Sequence, residues 1–286
     1  MGRSCVPRLR THADSGDASR TVDPVTDTLT CLVAHNPSPL TLEGTNTWIW
    51  AGHNGCVIVD PGPEDPVHLE AILAHVCERP ITAIVLTHDH EDHSGNADAL
   101  SQASGTPISS ARTQTLPAGE LAVLGTQSSR VRVVPLPGHT ADSVGIIFVQ
   151  EKTIATGDTI FAYGSAMIDW PDGSLESYLS SLVRLRTIII DYGLTSIIPG
   201  HGSVIDDPLS QIDLYYQHRL DRLQQVSQVM DQPLDSIVSA VYGDLGFELR
   251  DAARRTIQAQ LEYLRSSGMS GTSPPDTVGH KSMPPI

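Results

Sequence analysis

The sequence predicts an α/β fold: an αββα sandwich of two mixed sheets with helices on both outer faces, followed by a small helical domain. Three observations carry this expectation. Short apolar runs rich in Val, Ile and Thr alternate with helical stretches in two blocks, each holding several consecutive strands. The segment His88-Asp89-His90-Glu91-Asp92-His93 follows the apolar run 81–86 after the single residue Thr87, so its side chains sit past the carboxyl end of a strand. Open α/β sheets place their chemistry there. From Pro208 onward the strand signals cease and only helical periodicity remains.

Taken in order, residues 1–27 are polar and irregular and read as a disordered tail. Strands follow at 28–34, 47–51 and 56–60, with a loop through Asn36-Pro37-Ser38-Pro39 and on to Gly44-Thr45-Asn46-Thr47. Asp60-Pro61-Gly62-Pro63 ends the third strand abruptly, and a helix follows over 66–77. His68 and His75 lie seven apart on that helix and read as surface or core-edge residues. The run 81–86 is a buried strand. In the extended turn after it His88 and His90 point the same way, because side chains alternate with a period of two. Asp92 and His93 then fall where the next helix begins, which offers one pair of ligands to each of two adjacent metal ions. Past a helix to about residue 103 come strands at 107–109, 121–124, 130–136, 144–149 and 153–156, a helix at 175–186 and a strand at 195–198. Helical segments 209–229, 233–242 and 249–266 close the pattern. The Gly-, Ser- and Pro-rich stretch 267–286 reads as a second disordered tail. The expected division is 28–207 for the sandwich and 208–266 for the helical domain.

The balance of 18 basic and 33 acidic residues gives a net charge of −15. That excludes a broad nucleic-acid-binding face, which needs clustered Lys and Arg, without excluding a local positive site. The C-terminal helical stretch bears out the same point, its Arg250, Arg254 and Arg255 being set among more numerous acids. The four cysteines form no C-x-x-C and suit no zinc-finger spacing, so reduced thiols in a cytoplasmic protein are expected. No apolar run is long enough to span a membrane, and no secretory signal is visible.

Three more strand ends repeat one device: Gly138-His139, Gly157-Asp158 and Gly200-His201 each set a glycine before a ligand-type residue at a sharp turn. With the first loop they supply five histidines and two aspartates. Imidazole and carboxylate are zinc ligands, and two ions can share a bridging carboxylate. The order H-x-H-x-D-H, G-H, G-D, G-H resembles the metallo-β-lactamase superfamily over residues 28–205. The resemblance implies His88, His90 and His139 on a first metal, Asp92, His93 and His201 on a second, and Asp158 bridging both. Two Zn²⁺ are the implied cofactors, with Mn²⁺ or Fe as alternatives. With Asp92, Asp158 and a bridging hydroxide, such a site carries a charge of about +1, which suits hydroxide attack on a carbonyl or phosphorus centre. Asp92 and Asp158 are the implied catalytic residues.

The loop from Asn36 to Thr47, the Asp142 that follows Gly138-His139-Thr140-Ala141, and the C-terminal helices resemble the beta-lactamase-like protein 2 branch. That branch includes single-strand-selective endoribonucleases and carries a winged-helix-like domain. The resemblance therefore implies single-stranded RNA as substrate. Thioester or ester hydrolysis of the glyoxalase II type is the alternative, and a mononuclear iron persulfide dioxygenase a further one. The loop 161–173 lacks the Arg- and Phe-bearing segment of glyoxalase II. It also departs from the small-residue run of the ribonuclease-like branch, with Tyr163 and Met167 inserted. Tyr163 and Trp170 either stack on a substrate or pack beneath the loop. A homodimer is compatible with the sequence.

Overall fold

The computed structural model describes residues 20–116, 122–123 and 131–268. The first sheet holds β1 (Arg20–Thr26), β2 (Leu29–Val33), β3 (Asn46–Gly52), β4 (Gly55–Val59), β5 (Ile81–Val85) and β6 (Ile108–Ser109) in that spatial order. Its first four strands pair antiparallel, and β4, β5 and β6 run parallel. The second sheet runs β11 (Ser196–Pro199), β10 (Thr153–Gly157), β9 (Val144–Phe148), β8 (Val131–Pro135), β7 (Ala122–Val123). Helices α1 (Pro66–Val76), α2 (Glu91–Ser94) and α3 (Ala97–Ser104) belong to the first half, and α4 (Leu175–Tyr192) to the second. Helices α5 (Pro208–Ser227), α6 (Leu234–Tyr242) and α7 (Phe247–Ser266) follow, and no strand follows β11 among the described residues.

The layering follows from the period-two alternation of strand side chains. Val57 and Val59 of β4 face the second sheet and pack with Ile146, Phe148 and Ile198. Cys56 and Ile58 point the other way, against Ile72 and Val76 of α1 and Leu100 of α3. On the second sheet Ile147, Ile154 and Ile197 face outward onto Leu182 and Leu185 of α4. That outer cluster continues without a break into Ile212 and Tyr215 of α5 and Ile257 and Leu261 of α7. The C-terminal helices thus share a core with the sandwich.

Two expectations are corrected. Residues 20–26 form a strand paired antiparallel to β2, so the irregular N-terminal stretch does not extend to residue 27. His68 is not a surface or edge residue: it is 1% exposed, and its Nε2 meets Thr47 Oγ1 at 2.8 Å. Because that hydroxyl already donates to Asp60 O, the imidazole must donate to it. Burial pushes the His68 pKa down to about 4, so the ring is neutral.

What the topology does for the site is simple. Strand β9 is antiparallel to both β8 and β10, and β10 is parallel to β11, so β8, β10 and β11 all end at one edge of the sandwich. The loop after β5 reaches the same edge.

Candidate metal centre

All seven sequence-predicted residues meet at that edge, in three groups whose ligand atoms lie within 4.8 Å of one another. His88, His90 and His139 form one, Asp92, His93 and His201 a second, and Asp158 joins His88 and His93 in a third. His88 Nε2 and His139 Nε2 each lie 3.1 Å from His90 Nδ1. Asp158 spans the two halves: its Oδ1 is 3.3 Å from His93 Nε2, and its Oδ2 is 3.4 Å from His201 Nε2 and 3.8 Å from His139 Nε2. Asp92 Oδ2 completes the second half, 3.3 Å from His201 Nε2.

The far nitrogen of each ring is fixed by the fold. His88 Nδ1 donates to Thr87 Oγ1, which itself donates to Asp60. His90 Nε2 donates to Asp169 Oδ2 at 2.9 Å, and His139 Nδ1 to Met167 O at 2.8 Å. His93 Nδ1 reaches Asp60 Oδ2 at 2.9 Å, and His201 Nδ1 reaches Gly44 O at 3.1 Å. With those protons assigned outward, the inward nitrogens of His88, His90 and His139 are lone pairs facing lone pairs. Neutral rings gain nothing from that contact, whereas a cation placed between them satisfies all three. The donor set therefore fits a metal.

Electrostatics divide the site in two. Burial, reinforced by neighbouring imidazoles, holds His88 well below the usual histidine range, and burial lowers His139 as well. Burial also opposes charge on His93, but the carboxylates of Asp158, Asp92 and Asp60 outweigh it and raise that pKa well above normal. His201 follows the same balance to about 9, through Asp158 and Asp92. Asp158 is buried, which would raise it, yet the charges of His201 and His93 keep it ionised. One half thus presents neutral nitrogens, and the other a charge-balanced aspartate–histidine set.

Backbone geometry delivers these side chains. Gly138 sits at φ +146°, and a Cβ there would lie 2.3 Å from the Cα of Tyr178 on α4. A Cβ on Gly200 would lie 2.4 Å from Asp158 Oδ1. The Gly44–Thr47 loop braces the β11 end: Asn46 N donates to Gly200 O, and Asn46 Nδ2 to Pro199 O and Gly202 O.

Sequence reasoning missed three supporting groups. Asp60 accepts from Thr87 N, Thr87 Oγ1 and His93 Nδ1, and its place at the end of β4, beside the histidine loop, was the available signal. Asp169 and the Met167 carbonyl brace His90 and His139 from a loop that carries no local signature. Of the two loop aromatics, Trp170 packs against the core and donates Nε1–H to Glu262. Tyr163 stays 45% exposed and bonds Glu43.

Beside the donors opens a cavity of about 520 Å³. Asp92, His139, Asp158 and His201 line it, together with Leu40, Leu42, Phe161 and Met167. Tyr242, Leu245, Leu249, Ala252 and Ala253, from and beside α6 and α7, line it as well.

A fold and donor set of this kind define a metallohydrolase scaffold, and comparison with known proteins agrees. The metallo-beta-lactamase superfamily model matches residues 40–128 and 115–201, and the chain belongs to that superfamily. Within it the likeness runs to the beta-lactamase-like protein 2 branch. The homolog of that name from Drosophila melanogaster is 30% identical over 85% of this chain and 90% of its own length. The one from Caenorhabditis elegans is 28% identical over 87% and 88%. Among solved structures, a beta-lactamase domain protein from Burkholderia ambifaria superposes with a TM-score of 0.71 at 21% identity, over 87% of this chain and 88% of that one, which speaks to the fold alone.

Proposed function

We propose that this chain is a binuclear metal-dependent hydrolase of esters or thioesters bearing a bulky apolar acyl group. In this reading residues 28–207 supply the metal centre and the helices over 208–266 supply the acyl-binding wall. The observation that carries it is the apolar cavity opening directly onto the donor cluster. The cations at or near it are either buried or paired with carboxylates. Arg219, the one arginine or lysine among the described residues of the cavity lining, is 1% exposed; it donates to Ala166 O and lies over the Tyr178 ring, its Nε being buried without a partner, so burial keeps its charge from a ligand. Arg112 pairs with Asp89, Asp142 and Asp172, and Arg255 with Asp169 and Asp251. A polyanion would find little to hold it, whereas an acyl group would be desolvated.

His88, His90 and His139 would hold one ion, Asp92, His93 and His201 another, and Asp158 both. Mixed imidazole and carboxylate donors suit zinc first, manganese or iron next. When bound, such a pair would acidify water toward a pKa of about 7 and polarise the scissile carbonyl. The chain's own work is positional. Asp92, with 30% of its side chain exposed, faces the cavity and orients the attacking water. Leu245, Leu249 and Ala253 exclude bulk water and hold the acyl group, while Leu40 and Tyr163 stand exposed at the cavity's edge.

The test is a set of parallel assays on metal-loaded protein: an aromatic acyl thioester, lactoylglutathione and a single-stranded oligoribonucleotide. Turnover of the aromatic thioester, abolished in Asp158→Ala, is expected. RNA cleavage alone would select the second reading, a phosphodiesterase. That reading draws on the likeness to the beta-lactamase-like protein 2 branch and on exposed Tyr163 as a stacking surface. A single iron with oxygen uptake would overturn hydrolysis.

A further inference from the structure

Two of the first-position rings depend on one short loop, and that loop depends on the last helix. Met167 O accepts from His139 Nδ1, and two residues on Asp169 Oδ2 accepts from His90 Nε2. Asp169 N also donates to His139 O at 2.9 Å, so the loop clasps both histidines. Three side chains of α7 pin the same loop. Thr256 Oγ1 accepts from Ile168 N at 3.1 Å, Arg255 Nη1 meets Asp169 Oδ1 at 2.5 Å, and Glu262 Oε2 accepts from Trp170 Nε1 at 2.6 Å. Arg255 is itself held by Asp251 through Nε at 3.0 Å, one turn back on the helix. A continuous line runs from α7 through Arg255 and Asp169 to His90, joining residues separated by 86 and 79 positions in sequence.

We propose that Arg255 is a positioning residue of the first metal position: by fixing the Asp169 carboxylate it fixes the tautomer and the direction of His90. Asp169 has two oxygens and two demands on it. With Arg255 holding Oδ1, Oδ2 is left aimed at His90 Nε2–H, and His90 must present Nδ1 toward His88 and His139. Without the guanidinium the carboxylate is free to rotate about its bonds, and His90 loses the partner that sets its proton. The C-terminal helices then do more than wall the cavity: α7 is part of the metal centre's support. This rests on the binuclear reading of the site.

The experiment is a zinc titration of the metal-free full chain against a chelating dye, with the electronic spectrum of the cobalt-substituted protein as a second readout. The step belonging to the first position is the one lost in His88→Ala. Arg255→Gln is expected to weaken that step by about tenfold to a hundredfold, the range seen when outer partners of metal ligands are removed. It should alter the cobalt spectrum and leave the second step in place. Arg255→Lys, which keeps a cation but not the fork, should recover part of the affinity. Because Arg255 is 43% exposed, the metal-free Arg255→Gln protein should unfold near the wild-type temperature. Wild-type affinity at both steps in Arg255→Gln, with loss only in Asp169→Asn, would overturn the assignment and leave the metal centre standing. A wild-type chain that binds no ion would overturn both.

Discussion

Asp158 is the residue on which the two halves of the site meet. Its oxygens lie 3.3–3.8 Å from ring nitrogens of His93, His201 and His139, and among the described residues it is the one carboxylate that reaches both groups. Asp158→Asn keeps the shape but halves the anionic donors available to a second ion. We expect elemental analysis of the purified variant to show fewer ions per chain, with turnover down by at least about a hundredfold. Full metal content and full turnover would remove Asp158 from the site. A different residue, His68, carries a pH signature. Its folded pKa is about 4, below the ordinary value near 6.5. As pH falls from about 6.5 toward 4 the unfolded chain takes the proton first, so stability drops across that window and His68 adds no slope above it. At about 1.4 kcal/mol per unit the full loss is about 3 kcal/mol. His68→Gln can still donate to Thr47 without titrating, so its stability advantage or deficit relative to wild type in urea should shift by that amount between pH 7 and 4. Parallel curves would sink the account. The sequence alone placed His68 at the surface or the core edge because helix spacing says which residues share a face and nothing of what covers it. The cover is Thr47, from a strand twenty-one positions earlier.

At the scale of elements, legibility followed the range of the interactions. Strands β4 and β9 were plain because both faces of each are buried, which leaves continuous apolar runs, whereas β5 is fully buried only at Ile84 and Val85, the end that leads into the histidine loop. The ends of β8, β10 and β11 were plain because His139, Asp158 and His201 each stand beside a turn glycine, and the end of β5 because His88 to His93 are imidazoles and carboxylates without interruption. Strand β1 was hidden: it lies at the sheet edge and contains Pro24, which a central strand would not tolerate, and its register with β2 shifts between Val22 and Thr26. Asp169, Met167 and α7 were hidden for another reason, since only the folded chain brings positions 90, 139, 169 and 255 together. The turn after β8 offers a direct test of how strand ends aim their ligands. Gly138→Ala must place a Cβ against the α4 backbone at a φ that alanine avoids. A loss of about 2 kcal/mol or more in urea denaturation is expected, with weaker zinc binding where His139 is displaced. An alanine variant as stable as wild type would show that α4 yields there and that the glycine is incidental.

For the whole molecule the question is whether the C-terminal helices are an attachment or a part of the fold. The sequence divides at Pro208, where strand signals stop, and a composition-based boundary falls there naturally. The core does not divide there. Leu182 and Leu185 of α4 are fully buried, in one cluster with Ile212 and Tyr215 of α5 and Ile257, Leu261 and Leu264 of α7. Gln211 Nε2 donates to Phe161 O, and Tyr215 OH meets Phe161 N at 3.0 Å, so the same helices hold the loop that follows Asp158. Each fully buried Leu or Ile is worth about 1.5–3 kcal/mol, and a domain's whole stability is about 5–15 kcal/mol. Uncovering even a handful of these side chains therefore spends most of the margin. The full chain is expected to unfold in one calorimetric transition. A chain ending at residue 207 should bind a hydrophobic dye and lose the sharp transition, because the outer face of the second sheet's helix would be bare. Two separate transitions in the full chain, or a 1–207 fragment that melts cooperatively and binds zinc as the full chain does, would show that the sandwich stands alone. In that case the cavity wall would be an addition to a complete metal centre.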